Sequence, residues 1–143
     1  MNAPTVNSPL PSASPQVDQQ VILVVDDEGL IRDLARMGLE GAGFFVLTAC
    51  NGDEGLRASR EFPGVIDLII SDVLMPGLDG FDLRKQLLSE RPGIPVLMMS
   101  GQLHQGRNED IPYLEKPFRI SELRDRVQAL LGRRAAKAQT AAQ

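Results

Sequence analysis

Val21-Ile22-Leu23-Val24-Val25-Asp26-Asp27-Glu28 is an unbroken apolar run, mostly β-branched, that ends abruptly in acids. A continuous apolar run this short, without alternation, predicts a strand covered on both faces. The same event recurs downstream. Leu68-Ile69-Ile70 ends in Ser71-Asp72, Pro95-Val96-Leu97-Met98-Met99 ends in Ser100-Gly101, and a very short run at Tyr113-Leu114 precedes Lys116-Pro117. Phe44 to Ala49 reads as one further strand.

Between these runs the periodicity changes to that of helices. Leu30, Ile31, Leu34 and Ala35 are expected on the inner side of a helix stopped by Gly41 and Gly43. Asn51 is expected to cap the next helix, with Glu54 completing a capping-box-like pattern, and Pro63-Gly64 closes it. After the loop Met75-Pro76-Gly77-Leu78-Asp79-Gly80, a helix around Leu83, Leu87 and Leu88 runs to Pro92-Gly93. In the last helix Ile120, Leu123, Val127, Leu130 and Leu131 share one face, with Ser121 as the expected cap. Apolar strands alternating with amphipathic helices predict an α/β domain, a parallel sheet with helices on both faces. Five such units suit the flavodoxin-like doubly wound five-stranded sheet, order 2-1-3-4-5, in which ligands sit beyond the carboxyl ends of the strands.

Bulk properties narrow the function classes. The 143 residues are 43% hydrophobic and 24% charged, as in a soluble domain with a proper core. A net charge of −4 argues against a nucleic-acid partner held by charge. Cys50 is the sole cysteine, which excludes an internal disulfide and a paired-cysteine zinc site and suits a reducing cytosol. Residues 1–20, with Pro4, Pro9, Pro11 and Pro15 among polar residues, are expected to form a disordered leader without the features of a secretion signal. No later apolar run reaches the roughly 20 residues that cross a bilayer, so the expected location is the cytoplasm, with no membrane partner. The domain is expected to span residues 21–131. Residues 132–143 are expected to be a flexible tail with no output domain beyond it, leaving a free-standing or excised unit.

Chemistry gathers at the strand ends. If strands one and three are neighbours, Asp26, Asp27, Glu28 and Asp72 converge on one crevice. At ~4 Å and an effective dielectric near 20, each like-charged pair costs about 4 kcal/mol before screening. Such a group is expected to hold protons or a cation, and oxygen-only ligands point to Mg²⁺. Ser100 brings a hydroxyl to the same rim and Lys116 an ammonium, which together make a set suited to phosphoryl transfer through an attacking carboxylate. Glu28 is read chiefly as a helix-start residue favoured by the dipole, with a direct metal role as the lesser reading. His104 is read as an exposed loop residue, Cys50 as packing, and the basic residues near Arg133 as a solvated helix end.

In these stretches, above all Val24-Val25-Asp26-Asp27-Glu28, Ser71-Asp72 through Asp79-Gly80, Met99-Ser100-Gly101 and Tyr113 to Phe118, the sequence resembles the response-regulator receiver family of two-component phosphorelays. The likeness extends over roughly Val21 to Leu131. It implies that Asp72 is the phosphoacceptor, that Asp26 and Asp27 bind the metal together with Asp72 and the Leu74 backbone carbonyl, and that Ser100 and Lys116 contact the phosphoryl group. It implies further that Ser100 and Tyr113 switch on phosphorylation, with Tyr113 rotating inward, and that the Lys116-Pro117 bond is often cis. The donor would be a histidine kinase or a histidine phosphotransfer protein, and the domain would dock a downstream protein, acting as a phosphoacceptor rather than an enzyme on other substrates. Leu74 and Gln102 hold the positions that tune dephosphorylation; Leu74 cannot orient an attacking water, whereas Gln102 has the amide to do so, and slow self-dephosphorylation is the expectation.

The segment Gly101 to Pro112 is shorter than in most receivers, so the helix between strands four and five is expected to be short, distorted or missing. With that surface altered, a monomer is expected. A Mg²⁺-dependent phosphatase or phosphotransferase is the competing reading. Leu74 stands where such enzymes place a second carboxylate, and no insertion is available to form a cap. A binding module that no longer takes phosphate conflicts with the intact Asp26, Asp27, Asp72, Ser100 and Lys116, and a flavin carrier conflicts with acids at the phosphate end.

Overall fold

The computed structural model describes residues 14–101 and 110–142. Its strands are β1 (Val21–Val25), β2 (Phe45–Ala49), β3 (Leu68–Asp72), β4 (Val96–Ser100) and β5 (Tyr113–Glu115), and its helices α1 (Gly29–Gly41), α2 (Gly52–Glu61), α3 (Gly80–Glu90) and α4 (Ile120–Ala142). The sheet is parallel throughout and ordered β2-β1-β3-β4-β5, as expected. Every residue of β1, β3 and β4 is buried, which is why these strands are apolar on both faces.

Alternate residues of each strand feed two separate cores. Leu23, Val25, Ile69 and Met98 pack with Leu56 of α2 and Leu83 and Leu87 of α3. Ile22, Val24, Ile70 and Leu97 pack with Ala35 and Leu39 of α1 and with Leu123, Val127 and Leu131 of α4. The α1–α4 contact is close because Gly38 has no side chain: a Cβ there would lie 2.8 Å from Ile120, and Arg124 Nε donates to the Gly38 carbonyl at 2.8 Å.

Several local expectations are corrected. The inner side of α1 is Ala35, Gly38 and Leu39, whereas Leu30 is 81% exposed, Leu34 43% and Met37 63%. The apolar residues of α1 cover more than one face of the cylinder, so periodicity alone did not identify the face turned to the sheet. Ser121 lies inside the first turn of α4, and Arg119 N donates to Glu122 Oε1 at the helix start instead. Asn51 caps α2 by accepting from Glu54 N, while Glu54 Oε1 accepts from Cys50 N, one residue before the cap. The Cys50 thiol is also engaged, donating to Glu54 Oε2, a bond that together with burial pushes its pKa up.

Helix α4 continues through residues 132–142, which were expected to form a tail. At the other terminus, Gln20 accepts from Phe45 N and Gln19 Nε2 donates to the Gly43 carbonyl. The expectations for residues 102–109, including the shortened helix, Gln102 and His104, fall outside the described residues.

The turn after β3 depends on Gly80. Its N–H donates to Val73 O at 2.8 Å, and a Cβ at this position would collide with the Asp72 carbonyl and sit 2.8 Å from Met98 Cε. Gly80→Ala is expected to destabilise the protein by about 1–3 kcal/mol through overpacking. Urea unfolding would show a lower midpoint at unchanged slope, and an unaltered midpoint would refute the close contact.

Candidate functional site

The crevice forms because β1 and β3 are neighbours whose last residues carry acids. Asp26 follows the pairing Val25↔Ser71 and is anchored by its own N–H to Ala49 O at 3.1 Å; Asp72 is the last residue of β3, paired with Met99. Asp26 is completely buried and Asp72 is 6% exposed. Asp26, Asp27 and Asp72 each offer a carboxylate oxygen within 4.8 Å of the others, the only such group among the described residues. All donors in it are oxygen, with neither histidine nor cysteine, a set that fits a hard divalent cation.

Lys116 enters from the edge strand. Its N–H donates to the Ser100 carbonyl at 2.7 Å, fixing the end of β5 to the end of β4. Its ammonium lies 2.9 Å from Asp26 Oδ2, 3.2 Å from Glu28 Oε1 and 3.3 Å from Asp72 Oδ2. The second oxygen of Asp26 accepts from Glu28 N at 2.9 Å. Ser100 is buried at the rim. Tyr113 already points inward: it is buried, with its ring 6.5 Å from that of Phe81 in an edge-on contact. The Leu74 side chain is 71% exposed beside the crevice. The Lys116-Pro117 peptide bond is cis.

Two features of the site were missed in the sequence. Arg32 Nη1 donates to the Asp26 carbonyl at 2.7 Å, fixing the peptide between the two adjacent aspartates. Nothing in the spacing signals a bond from a helix side chain back to a strand-end carbonyl. Glu28, read as a helix-start residue, does occupy the N-cap of α1, but its side chain makes no cap hydrogen bond and turns to Lys116.

The electrostatics follow from this crowding. Burial pushes the Asp72 carboxyl up to about 6, the charges of Asp26 and Asp27 add to the rise, and Lys116 opposes it. Burial pulls the Lys116 ammonium down, but the hydrogen bond and charge of Asp26, with Asp72 and Glu28 behind them, outweigh it and hold the pKa above the usual lysine value. A buried carboxylate with a raised pKa, two further acids and a lysine is therefore a site that gains from a bound cation or from a group carrying its own negative oxygens to the lysine.

Residues 22–128 match the family model of the response regulator receiver domain. The chain belongs to this family. The receiver is 39% identical over 122 residues to the alkaline phosphatase synthesis transcriptional regulatory protein PhoP of Bacillus subtilis, a match covering 78% of this chain and 48% of PhoP. The chain thus spans about half the length of the curated transcriptional regulators compared with it. Among solved structures it is similar to the receiver domain of the hybrid histidine kinase CckA, at 39% identity and a TM-score of 0.69, covering 78% of this chain and 98% of that one. It is also similar to the response regulator TrrA of Thermotoga maritima, solved with Mg²⁺-BeF, at 30% identity and a TM-score of 0.70, covering 78% and 99%. The flavodoxin-like order of the sheet is that of this family.

The raised pKa of Asp72 sets a pH dependence. A carboxyl titrating near 6 when folded and near 3.8 when unfolded binds more protons in the folded receiver between those values, so its ionisation opposes folding as pH rises through about 6. A displacement of that size corresponds to about 3 kcal/mol. In metal-free protein, Asp72→Asn is expected to raise the unfolding free energy by about 1–3 kcal/mol at pH 8 and to have little effect near pH 3, below both titration points, where the acid is mostly protonated in both states. Equal effects at the two pH values, measured by urea unfolding, would contradict this origin.

Proposed function

We propose that this receiver takes a phosphoryl group from a phosphohistidine donor, a histidine kinase or a histidine phosphotransfer protein, onto Asp72 in a Mg²⁺-dependent reaction. The observation that carries the reading is the convergence of Asp26, Asp27 and Asp72 on the Lys116 ammonium at the carboxyl ends of adjacent strands. A carboxylate oxygen of Asp72 attacks phosphorus, the new P–O bond forming as the P–N bond to the donor imidazole breaks and the imidazole recovers its electron pair. The ion would be held by Asp26, Asp27, Asp72 and the Leu74 backbone carbonyl, and when bound it supplies neutralisation of the phosphoryl oxygens.

Lys116 shares that neutralisation from the other side, since its ammonium is already in reach of Asp72. The Ser100 hydroxyl turns to donate to a phosphoryl oxygen, and the adjacent β4–β5 edge, with Tyr113 on it, carries the change to the surface. Because Tyr113 is already buried, its ring would be held inward by phosphorylation rather than drawn in from solvent. A protein donor would meet exposed apolar side chains at Leu30, two residues after Glu28, and at Leu74, two residues after Asp72. The apolar Leu74 side chain cannot orient an attacking water, which supports a long-lived acyl phosphate. The receiver would act in the cytoplasm, signalling or relaying phosphate by docking rather than by turning over a substrate of its own.

Intact-protein mass spectrometry after incubation with Mg²⁺ and acetyl phosphate tests the reading. Wild type is expected to gain one phosphoryl mass, which Asp72→Ala and EDTA-treated wild type do not, and to keep it for minutes or longer. Equal gain by Asp72→Ala would move the acceptor elsewhere, and loss within seconds would refute the slow hydrolysis.

A further inference from the structure

The Lys116 ammonium has three N–H donors and a carboxylate within 3.3 Å for each: Asp26, Glu28 and Asp72. The three partners are not equally fixed. Asp26 is completely buried, and its second oxygen is occupied by Glu28 N. Asp72 is itself the group that changes, on the reading above. The Glu28 side chain is 61% exposed and makes no cap bond to its helix, so it is the one partner that can leave Lys116 and be rehydrated without disturbing the core.

A phosphoryl group on Asp72 carries close to two negative charges and three strong acceptor oxygens. It needs the donors of Lys116, and it is repelled by any carboxylate still resting there. We propose that Glu28 is a positioning residue that holds Lys116 in the unphosphorylated receiver and yields it to the phosphoryl group, so that its carboxylate biases the domain against phosphorylation. The inference rests on Asp72 being the phosphoacceptor. It gives Glu28 a partner in the lysine rather than in the metal, and it depends on reach as well as on charge.

The test is beryllofluoride binding, a stand-in for the phosphoryl group, followed by NMR titration of the full chain at saturating Mg²⁺, with Mg²⁺ affinity measured separately. Glu28→Gln, which keeps the shape and loses the charge, is expected to bind beryllofluoride up to about fivefold more tightly, the range an exposed ion pair allows. Its Mg²⁺ affinity is expected to change by less than about threefold, as for a nearby charge that does not ligate. Glu28→Asp keeps the charge but shortens the reach to Lys116, and is expected to tighten beryllofluoride binding as well.

Unchanged beryllofluoride affinity in Glu28→Gln would overturn the inference and leave the proposed function standing. So would a Mg²⁺ affinity about tenfold weaker, which would make Glu28 a ligand, or wild-type behaviour of Glu28→Asp, which would reduce the effect to charge alone. Wild type that binds no beryllofluoride would overturn the phosphoacceptor reading itself, and this inference with it.

Discussion

Carboxylates that end two adjacent buried strands repel one another, and the sheet gives them little freedom to move apart. Asp26 and Asp72 are held by backbone pairing at the ends of β1 and β3, and both are shielded from water. Lys116 is what the fold sets against that repulsion. The balance remains unfavourable to the anion at Asp72, whose carboxyl titrates near 6 despite the ammonium 3.3 Å away. A carboxyl paired with lysine would ordinarily titrate below its free value. Burial and the neighbouring acids therefore win here, and the site is left with a standing demand for positive charge. That demand makes a cation-dependent reaction at Asp72 physically reasonable.

The rest of the architecture serves this convergence. A parallel sheet delivers every strand's carboxyl end to the same edge, and coverage by α1 and α4 on one face and α2 and α3 on the other leaves that edge as the opening. Close approaches hold it in shape. Gly80 lets the turn after Asp72 press against the Asp72 carbonyl, and Arg32 ties the Asp26 carbonyl to α1. Away from the opening, Arg91 closes the end of α2 by donating to the carbonyls of Ser59, Phe62 and Gly64, so the two helices on that face are joined at the end remote from the acids.

Much of this was legible in the sequence because it rests on signals of composition and order. Continuous apolar runs mark strands buried on both faces, and acids at their ends mark the rim, so the strands and the residues that end them could be read directly, while the order that groups Asp26, Asp27, Asp72 and Lys116 came from the likeness to a flavodoxin-like fold. What escaped was decided by three-dimensional competition. Leu30 and Ile31 are equally apolar neighbours, and only packing against β1 and α4 turns one outward and leaves the other half-buried. Ser121 is a good cap by type, yet Glu122 reaches back to Arg119 N and the helix starts earlier. Glu28 looked like a residue chosen for a helix dipole. Its ion-pair partner is a lysine 88 positions away in the chain, a relation no local pattern records.

The placement of Lys116 has a consequence for how the domain can respond. β5 is short and pairs with β4 alone, through Met98↔Tyr113, Met99↔Leu114 and Ser100↔Glu115, so it is the least secured strand of the sheet. Yet it carries the cation on which the acids depend, and the Lys116 N–H is bonded to the carbonyl of Ser100, the residue whose hydroxyl stands at the same rim. On the proposed function, a change in what the ammonium binds would reach the last residues of β4 through this bond, and Tyr113 lies three positions earlier on the same edge. Were the lysine carried by β1 or β3, it would be as firmly held as the acids, and a new ligand in the crevice would have nothing loose to move. With the cation just past the shortest strand and the anions at the ends of fully buried ones, the edge is the part that would yield under the proposed phosphorylation.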